Sequence, residues 1–250
     1  MSVRKPVVDE WVFYPETDGK PMAETDVHRD QMSDAIATLR DFFRNQPNVY
    51  VTGNILLYYQ EGDPYLSVSL DVMVVKGIPK GKRRTYKLWE EGKGPDVVIE
   101  VTSKWTRFED MNAKKALYKE VLQVPEYFLF DPLHHYMKEP LIGYRLVKGK
   151  YRAINPKRPG RLVSRELRLE LVATDQGLRF YDPAQGAFLF TPDESAEARR
   201  QAEAQLKAAE AELDQLRAEL ERLRQTKSEN DAAVCDRSYD TIQSHSVRPL

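Results

Sequence analysis

Cysteine is nearly absent from the chain, with Cys235 the only one among 250 residues. A single thiol excludes an internal disulfide framework and a zinc site built from several cysteines. Long hydrophobic runs are absent as well, since no stretch approaches the ~18–20 apolar residues that cross a bilayer. The first residues, MSVRKPVVDEW, also lack the apolar core of a signal peptide. We therefore expect a cytoplasmic protein with no membrane partner.

Histidine is scarce too. The four histidines, His28, His134, His135 and His245, show none of the spacings at which histidines share a metal ion. A hydrolase built on histidine ligands is therefore disfavoured.

A strong excess of either charge is also missing, because the formal net charge is -1. The two parts of the chain nevertheless differ. Residues 191–250 hold 9 Lys and Arg against 13 Asp and Glu, which leaves 29 against 26 in residues 1–190. The larger part is mildly basic, which is compatible with a polyanionic substrate and does not establish one.

Hydrophobic periodicity predicts a mixed α/β fold over residues 1–190, with helices flanking a mixed sheet. Two helices are predicted, Thr25–Asn45 and Glu109–Leu122. Four strands are predicted at Asn48–Gln60, Tyr65–Lys76, Asp96–Thr102 and Glu126–Asp131. The last two strands and the helix between them fit a parallel βαβ crossover.

Leucine and alanine alternate at spacings of four and three after Pro192, which is the pattern of a coiled-coil helix over residues 193–225. Glu212 and Arg217 occupy g and e positions that would pair across a parallel dimer. We expect a homodimer through residues 202–224. The alternative is a single solvated helix that packs back on its own domain. Residues 226–250 are expected to be a disordered tail.

Two carboxylates interrupt strands that otherwise read as buried. Asp71 follows Leu70 in an apolar run, and Glu100 lies within Val97–Val101. A buried carboxylate is unfavourable unless a cation or metal compensates it. Two such groups from adjacent strands make a hard-oxygen site that suits Mg²⁺, with Mn²⁺ as a substitute. Asp96 shares the face of Glu100 but lies about 13 Å along the strand, too far to chelate the same ion.

The helix after Glu100 has a lysine near the centre of its apolar face. With 100° per residue, Lys114 falls among Leu117, Tyr118 and Val121. A lysine on an inward face usually meets an anion, and Lys114 can reach the sheet surface that carries Glu100. The structural alternative is an ordinary helix pair with Asp110, with both strand carboxylates held in structural ion pairs.

These residues resemble a known family. The sequence resembles the restriction-endonuclease-like PD-(D/E)XK superfamily, and more narrowly the Uma-two family of endonucleases. The resemblance lies in the order of four features: Asp71, PDVVIEVTSKWTRFED, K-x-x-x-Y and VPEYFLFDP. The resemblance covers roughly residues 10–190. It implies a restriction-endonuclease-like core followed here by the coiled-coil helix.

The resemblance also implies roles for individual residues. Asp71 and Glu100 would be the two motif acids, with the backbone carbonyl of Val101 as a further metal ligand. Thr102 occupies the position of the lysine in the superfamily motif, and Lys114 would take the role of that lysine from the helix. Lys104 and Lys115 are the alternative candidates for this role. Leu70 replaces the proline that normally precedes the first acid.

The leading functional hypothesis is therefore Mg²⁺-dependent hydrolysis of DNA by an endonuclease. The lysine- and arginine-rich loop near residues 76–87, together with Lys104 and Arg107, would contact DNA phosphates, or would be a solvated connector. The second hypothesis is a non-catalytic binding or assembly module that keeps the nuclease fold and dimerises through its coiled coil.

Overall fold

The computed structural model describes residues 12–17 and 25–243. The chain divides into two compact units, Met1–Pro192 and Asp193–Leu250.

The first unit contains thirteen short strands, four α-helices and one π-helical segment among the described residues. The strands are Val49–Thr52 (β1), Ile55–Tyr58 (β2), Ser67–Leu70 (β3), Val72–Lys76 (β4), Tyr86–Lys87 (β5), Val97–Val101 (β6), Glu126–Phe130 (β7), Leu141–Val147 (β8), Lys150–Ala153 (β9), Arg161–Ser164 (β10), Leu169–Thr174 (β11), Gly177–Asp182 (β12) and Ala187–Phe188 (β13). The helices are Asp26–Phe42 (α1), Leu88–Glu91 (α2), Arg107–Glu109 (α3) and Lys115–Glu120 (α4), with a π-helical segment, Asp110–Lys114, between α3 and α4.

The strands form three sheets. The largest has the order β1-β4-β6-β7-β8-β9, and the others have the orders β10-β11-β12-β13 and β3-β2-β5. In the six-stranded sheet β6 and β7 run parallel, with Glu100 opposite Leu129, and every other pair is antiparallel. The helical segment between β6 and β7 is the predicted crossover. The mixed α/β prediction is therefore confirmed.

The central strand β6 is buried on both faces of the six-stranded sheet. Val97, Ile99 and Val101 pack into a core that includes Leu39 of α1 and residues of the four-stranded sheet. Val98 packs into a second core with Tyr118 of α4. Glu100 shares the side of Val98, since side chains alternate along a strand.

The structure corrects the two strands predicted before residue 77. Each is broken, at Gly53-Asn54 and at Asp71, and its two halves belong to different sheets. Close backbone approach explains the break, because a Cβ on Gly53 would lie 1.8 Å from the Asp71 carbonyl oxygen. Asn54 adds a left-handed conformation with φ of 49°. Asp71 is thus at a bend between strands, where its backbone no longer follows the ladder.

The helix predicted at Glu109–Leu122 also differs from the structure. Its first part is the short helix α3 and the π-helical segment, and regular α-helix begins only at Lys115. A π-helical turn holds one extra residue, which rotates the side chains that follow it. The segment ends at Lys114.

One long helix, Pro192–Gln243 (α5), begins at the last residue of the first unit and forms the described part of the second. It extends beyond the predicted end at residue 225, because no proline or glycine interrupts residues 226–243. Residues 244–250 of the predicted tail lie outside the described part of the chain. The leucines of the heptad pattern are exposed. In the described part of the chain, no helix is long and apolar enough to span a membrane.

Candidate active site

Asp71 lies where the bend after β3 brings it against β6. Its Oδ2 accepts a hydrogen bond of 2.8 Å from the Val101 backbone N–H. The Asp71 backbone N–H in turn points at Glu100 Oε2, at 3.4 Å. The first predicted acid therefore contacts the strand that carries the second, and Val101 lies beside both.

Glu100 has no exposed surface. The Tyr118 hydroxyl donates a hydrogen bond to Oε1, and Lys114 Nζ lies 3.0 Å from Oε2. Burial raises the pKa of Glu100 to about 8, and the Lys114 charge opposes that shift while Asp71 and Asp110 add to it. In this structure the ionised form of Glu100 is therefore only partly compensated.

Lys114 bridges two carboxylates. Its Nζ lies 3.0 Å from Glu100 Oε2 and 3.3 Å from Asp110 Oδ1. Burial alone would lower the pKa of Lys114, but the charges of Glu100, Asp110 and Asp71 raise it above its ordinary value. The ammonium group therefore stays protonated at neutral pH, held by anions as the inward-facing position predicts.

The two alternative lysines make other contacts. Lys115 Nζ lies 3.5 Å from the centre of the Tyr144 ring. Lys104 Nζ lies 5.4 Å from the centre of the Trp105 ring. Of the three candidates, Lys114 is the one in contact with Glu100.

Asp96, the acid of the Pro95-Asp96 dipeptide, has structural partners. Its Oδ2 accepts a 2.6 Å hydrogen bond from the Lys76 backbone N–H, and Oδ1 lies 3.1 Å from Lys93 Nζ. These contacts agree with the inference that Asp96 does not share a metal with Glu100.

His28 joins the cluster although sequence reasoning set the histidines aside. It is buried on α1, and its Nε2 lies 3.3 Å from Asp71 Oδ2. Burial raises the pKa of Asp71, but the hydrogen bond from His28 and the charge of Lys114 outweigh it and lower that pKa below its ordinary value. The signal was present in the sequence, since His28 shares the buried stripe of α1 with Met32 and Leu39.

Asp110 is a third acid that sequence reasoning treated only as a helix partner of Lys114. The residue is 1% exposed, and its Oδ1 forms an ion pair with Lys114 Nζ at 3.3 Å. Burial raises the pKa of Asp110, and the Lys114 charge opposes the shift. The Tyr127 hydroxyl fixes the backbone of this turn by donating to the Asp110 carbonyl at 2.9 Å.

The cluster has more acid than base. The carboxyl groups of Asp71, Glu100 and Asp110 face one lysine and one histidine, and two of those carboxyl groups have raised pKa values. No group of three or more His, Cys, Asp or Glu side chains in the described part of the chain is arranged to enclose a metal ion. The donor set instead suits Mg²⁺, which binds through one or two carboxylates and keeps waters and phosphate oxygens as its other ligands.

Several cations of the loop near residues 76–87 already have partners within the chain. Lys80 Nζ donates to the Phe43 and Arg44 carbonyls at the end of α1, at 2.7 and 2.9 Å. Arg83 pairs with Glu91 and stacks over the Tyr50 ring, 4.1 Å from its centre. These contacts favour the structural interpretation of Lys80 and Arg83 over phosphate contact.

Comparison with known protein families places the molecule in the nuclease class. A family model with the description "Putative restriction endonuclease" matches residues 14–176. The chain belongs to this family, Uma2, which confirms the family predicted from the sequence. A comparison with curated proteins gave no match.

One solved structure that matches this chain is described as a "putative nuclease belonging to DUF820" from Anabaena variabilis ATCC 29413. Its sequence is 17% identical, and the TM-score is 0.42. The alignment covers 64% of this chain and 87% of the Anabaena chain.

Proposed function

We propose that this protein is an Mg²⁺-dependent endonuclease that hydrolyses phosphodiester bonds in DNA. The observation that carries the proposal is the buried cluster of Asp71, Glu100 and Lys114, in which acids outnumber cations. Family membership supplies the nuclease class. The cluster supports a chemistry that needs hard oxygen ligands and a fixed positive charge.

The proposed metal ligands are Asp71, Glu100 and the Val101 carbonyl. A divalent cation held by these residues would supply positive charge to stabilise the scissile phosphate and acidify the attacking water. Mn²⁺ would substitute for Mg²⁺, since the same oxygen ligands bind it. The raised pKa of Glu100 supports this assignment, because its ionised form lacks a sufficient counter-charge within the chain.

The surrounding residues orient these ligands. His28 Nε2 and the Val101 N–H both hold Asp71 Oδ2, which leaves Asp71 Oδ1 for a ligand. Tyr118 holds Glu100 Oε1 in the same way. Partners of this kind fix the rotamers of ligating carboxylates.

Lys114 acts through its charge in this proposal. Because its pKa is raised, it carries a proton at neutral pH and is better suited to orient water and stabilise the phosphate oxygens than to accept a proton. Its two carboxylate contacts keep Nζ in place during the reaction.

Cleavage of supercoiled plasmid with and without Mg²⁺ tests the proposal. Asp71→Asn, Glu100→Gln and Lys114→Met should each reduce Mg²⁺-dependent cleavage by at least about 10²-fold, the size expected for lost transition-state stabilisation. Lys115→Met is the matched control, since that lysine contacts Tyr144 rather than Glu100, and it should retain activity. Equal cleavage by the wild type and the Asp71→Asn, Glu100→Gln double variant would overturn the proposal.

A non-catalytic assembly module is the second candidate, favoured by the exposed heptad leucines of α5. Calorimetric titration with Mn²⁺ separates the two functions. The endonuclease proposal predicts binding that Glu100→Gln weakens, whereas an assembly module needs no metal.

A further inference from the structure

Two large aromatic side chains project into solvent directly after β6. The Trp105 residue is 84% exposed, and Phe108 is 65% exposed. Single exposed apolar residues are common, but two large rings three positions apart form a patch that points to a binding partner.

Cations alternate with these rings. The run Lys104–Phe108 reads KWTRF and contains no acid. Lys104 Nζ lies 5.4 Å from the centre of the Trp105 ring, and the Arg107 guanidinium carbon lies 4.6 Å from the centre of the Phe108 ring. The combination of rings and positive charge is complementary to a base and its phosphate, and not to an apolar protein surface.

Hydrogen bonds hold this turn in one shape. The Ser103 and Thr106 side chains each accept a backbone N–H from the other residue, at 3.2 and 3.1 Å. Arg107 Nη1 also donates to the Tyr136 carbonyl at 3.3 Å. The rings are therefore presented by an ordered backbone, so little conformational entropy is lost when they bind.

The patch belongs to the same chain segment as the candidate active site. Trp105 follows Glu100 by five residues and precedes Lys114 by nine. Five residues span at most about 18 Å even when fully extended, which is within a few nucleotides of the scissile phosphate.

We propose that Trp105 and Phe108 form a stacking platform for unpaired bases of single-stranded DNA, with the exposed Lys104 contacting an adjacent phosphate. In a duplex the base faces are covered by their neighbours, so an exposed ring stacks more favourably on an unpaired base, whose face is open. The platform rests on the proposed endonuclease function. It narrows the substrate class to DNA that contains a single-stranded segment.

The test measures binding of the full-length protein to a fluorescein-labelled single-stranded 20-mer and to its duplex, by fluorescence anisotropy in EDTA. The wild type should prefer the single strand. Trp105→Ala with Phe108→Ala should weaken single-strand binding by at least about tenfold, as loss of base stacking does. Trp105→Phe keeps a ring and should remain within about threefold of the wild type. Tyr65→Ala removes an aromatic residue that is 90% exposed and lies outside the Lys104–Phe108 run, and this variant should bind as the wild type does.

Equal single-strand binding by the wild type and the Trp105→Ala, Phe108→Ala variant overturns the platform, as does wild-type preference for the duplex. Plasmid cleavage measured in parallel separates this failure from failure of the proposed function. If cleavage depends on Asp71 and Glu100 but single-strand binding does not depend on Trp105 and Phe108, the protein is an endonuclease and the platform is wrong. The absence of both cutting and DNA binding overturns both proposals.

Discussion

Glu100 is enclosed by Lys114, Tyr118 and the Asp71 backbone, out of reach of water. Such a group does not contribute to the stability of the metal-free protein when it is ionised, because its desolvation is only partly offset. A carboxylate at this buried position is therefore better explained by a ligand than by folding. Substitution of Glu100 is therefore expected to reduce activity without reducing the stability of the metal-free protein.

Glu100→Gln should abolish cleavage while leaving the metal-free protein at least as stable as the wild type. The folded-state pKa of Glu100 is about 8, above its ordinary value of 4.5. The stabilising contribution of the protonated acid is thus fully present below about pH 4.5 and is lost as the pH rises to about 8. Glutamine imitates the protonated acid and has no such loss.

Thermal unfolding in EDTA at pH 5 and pH 8 measures this difference. The melting temperatures of variant and wild type should be close at pH 5, with the variant higher at pH 8 by at least about 2–4 °C, the shift that ~1 kcal/mol produces in a protein of this size. A melting temperature of the variant that is lower than that of the wild type by the same amount at both pH values would show that ionised Glu100 stabilises the fold.

At the scale of elements, the breaks in two strands position the site. Gly53 separates β1 from β2 and lies against the Asp71 carbonyl, while Asp71 separates β3 from β4. The two breaks meet, so the backbone that carries Asp71 turns towards Val101 of β6.

Gly53→Ala should disturb that arrangement. The new Cβ would lie 1.8 Å from the Asp71 carbonyl oxygen and 2.7 Å from Ile36 Cδ1, so the backbone of Asp71 must move. We expect a loss of about 1–3 kcal/mol in the free energy of unfolding, as for other overpacked sites, together with weaker Mn²⁺ binding. Urea unfolding and calorimetry measure the two effects. Gly81→Ala is the control, because its nearest neighbour would be Arg83 Nη1 at 3.9 Å. Unchanged Mn²⁺ affinity in Gly53→Ala would show that the close approach does not hold Asp71.

Local sequence periodicity is sufficient to predict the positions of Glu100 and Lys114. The alternation of residues in β6 predicts that Glu100 and Ile99 lie on opposite faces of the sheet. Helical spacing predicts that Lys114 faces inward, and in the structure Lys114 contacts Glu100. Both signals arise within a few residues of the group concerned. The βαβ crossover and the mixed α/β class follow from the same patterns.

Other parts of the site depend on contacts between distant segments, which local patterns do not contain. His28 meets Asp71 from α1, more than forty positions earlier, and Gly53 meets Asp71 from a different strand. The π-helical segment was missed because its sequence, DMNAK, has ordinary helix propensity, and its extra residue is fixed by tertiary contacts such as Tyr127 with the Asp110 carbonyl. The metal-binding and catalytic roles of Asp71, Glu100, Val101 and Lys114 remain predictions.

At the scale of the whole molecule, the heptad leucines of α5 are 47–65% exposed in the single chain. Exposed leucines in an a/d pattern are typical of a helix that pairs with another copy. We therefore predict a homodimer through residues 202–224. Paired nuclease units would suit cleavage of both strands.

Leu213→Glu with Leu220→Glu should convert the dimer to a monomer, since both positions lie in the predicted seam and a buried charge there is unfavourable. Ala218→Glu, at an outward position of the same heptad, should leave the dimer intact. Sedimentation equilibrium distinguishes the species. A wild-type protein that is monomeric at tens of micromolar would contradict the prediction.

The central claim is that Asp71 and Glu100 hold a divalent cation, and a crystal soaked in Mn²⁺ tests it most directly. We expect an anomalous difference peak within about 2.0–2.4 Å of a carboxylate oxygen from each residue, the range of hard-cation oxygen ligands, and no such peak in Glu100→Gln crystals. No peak at the cluster, or a peak only at other carboxylates, would contradict it.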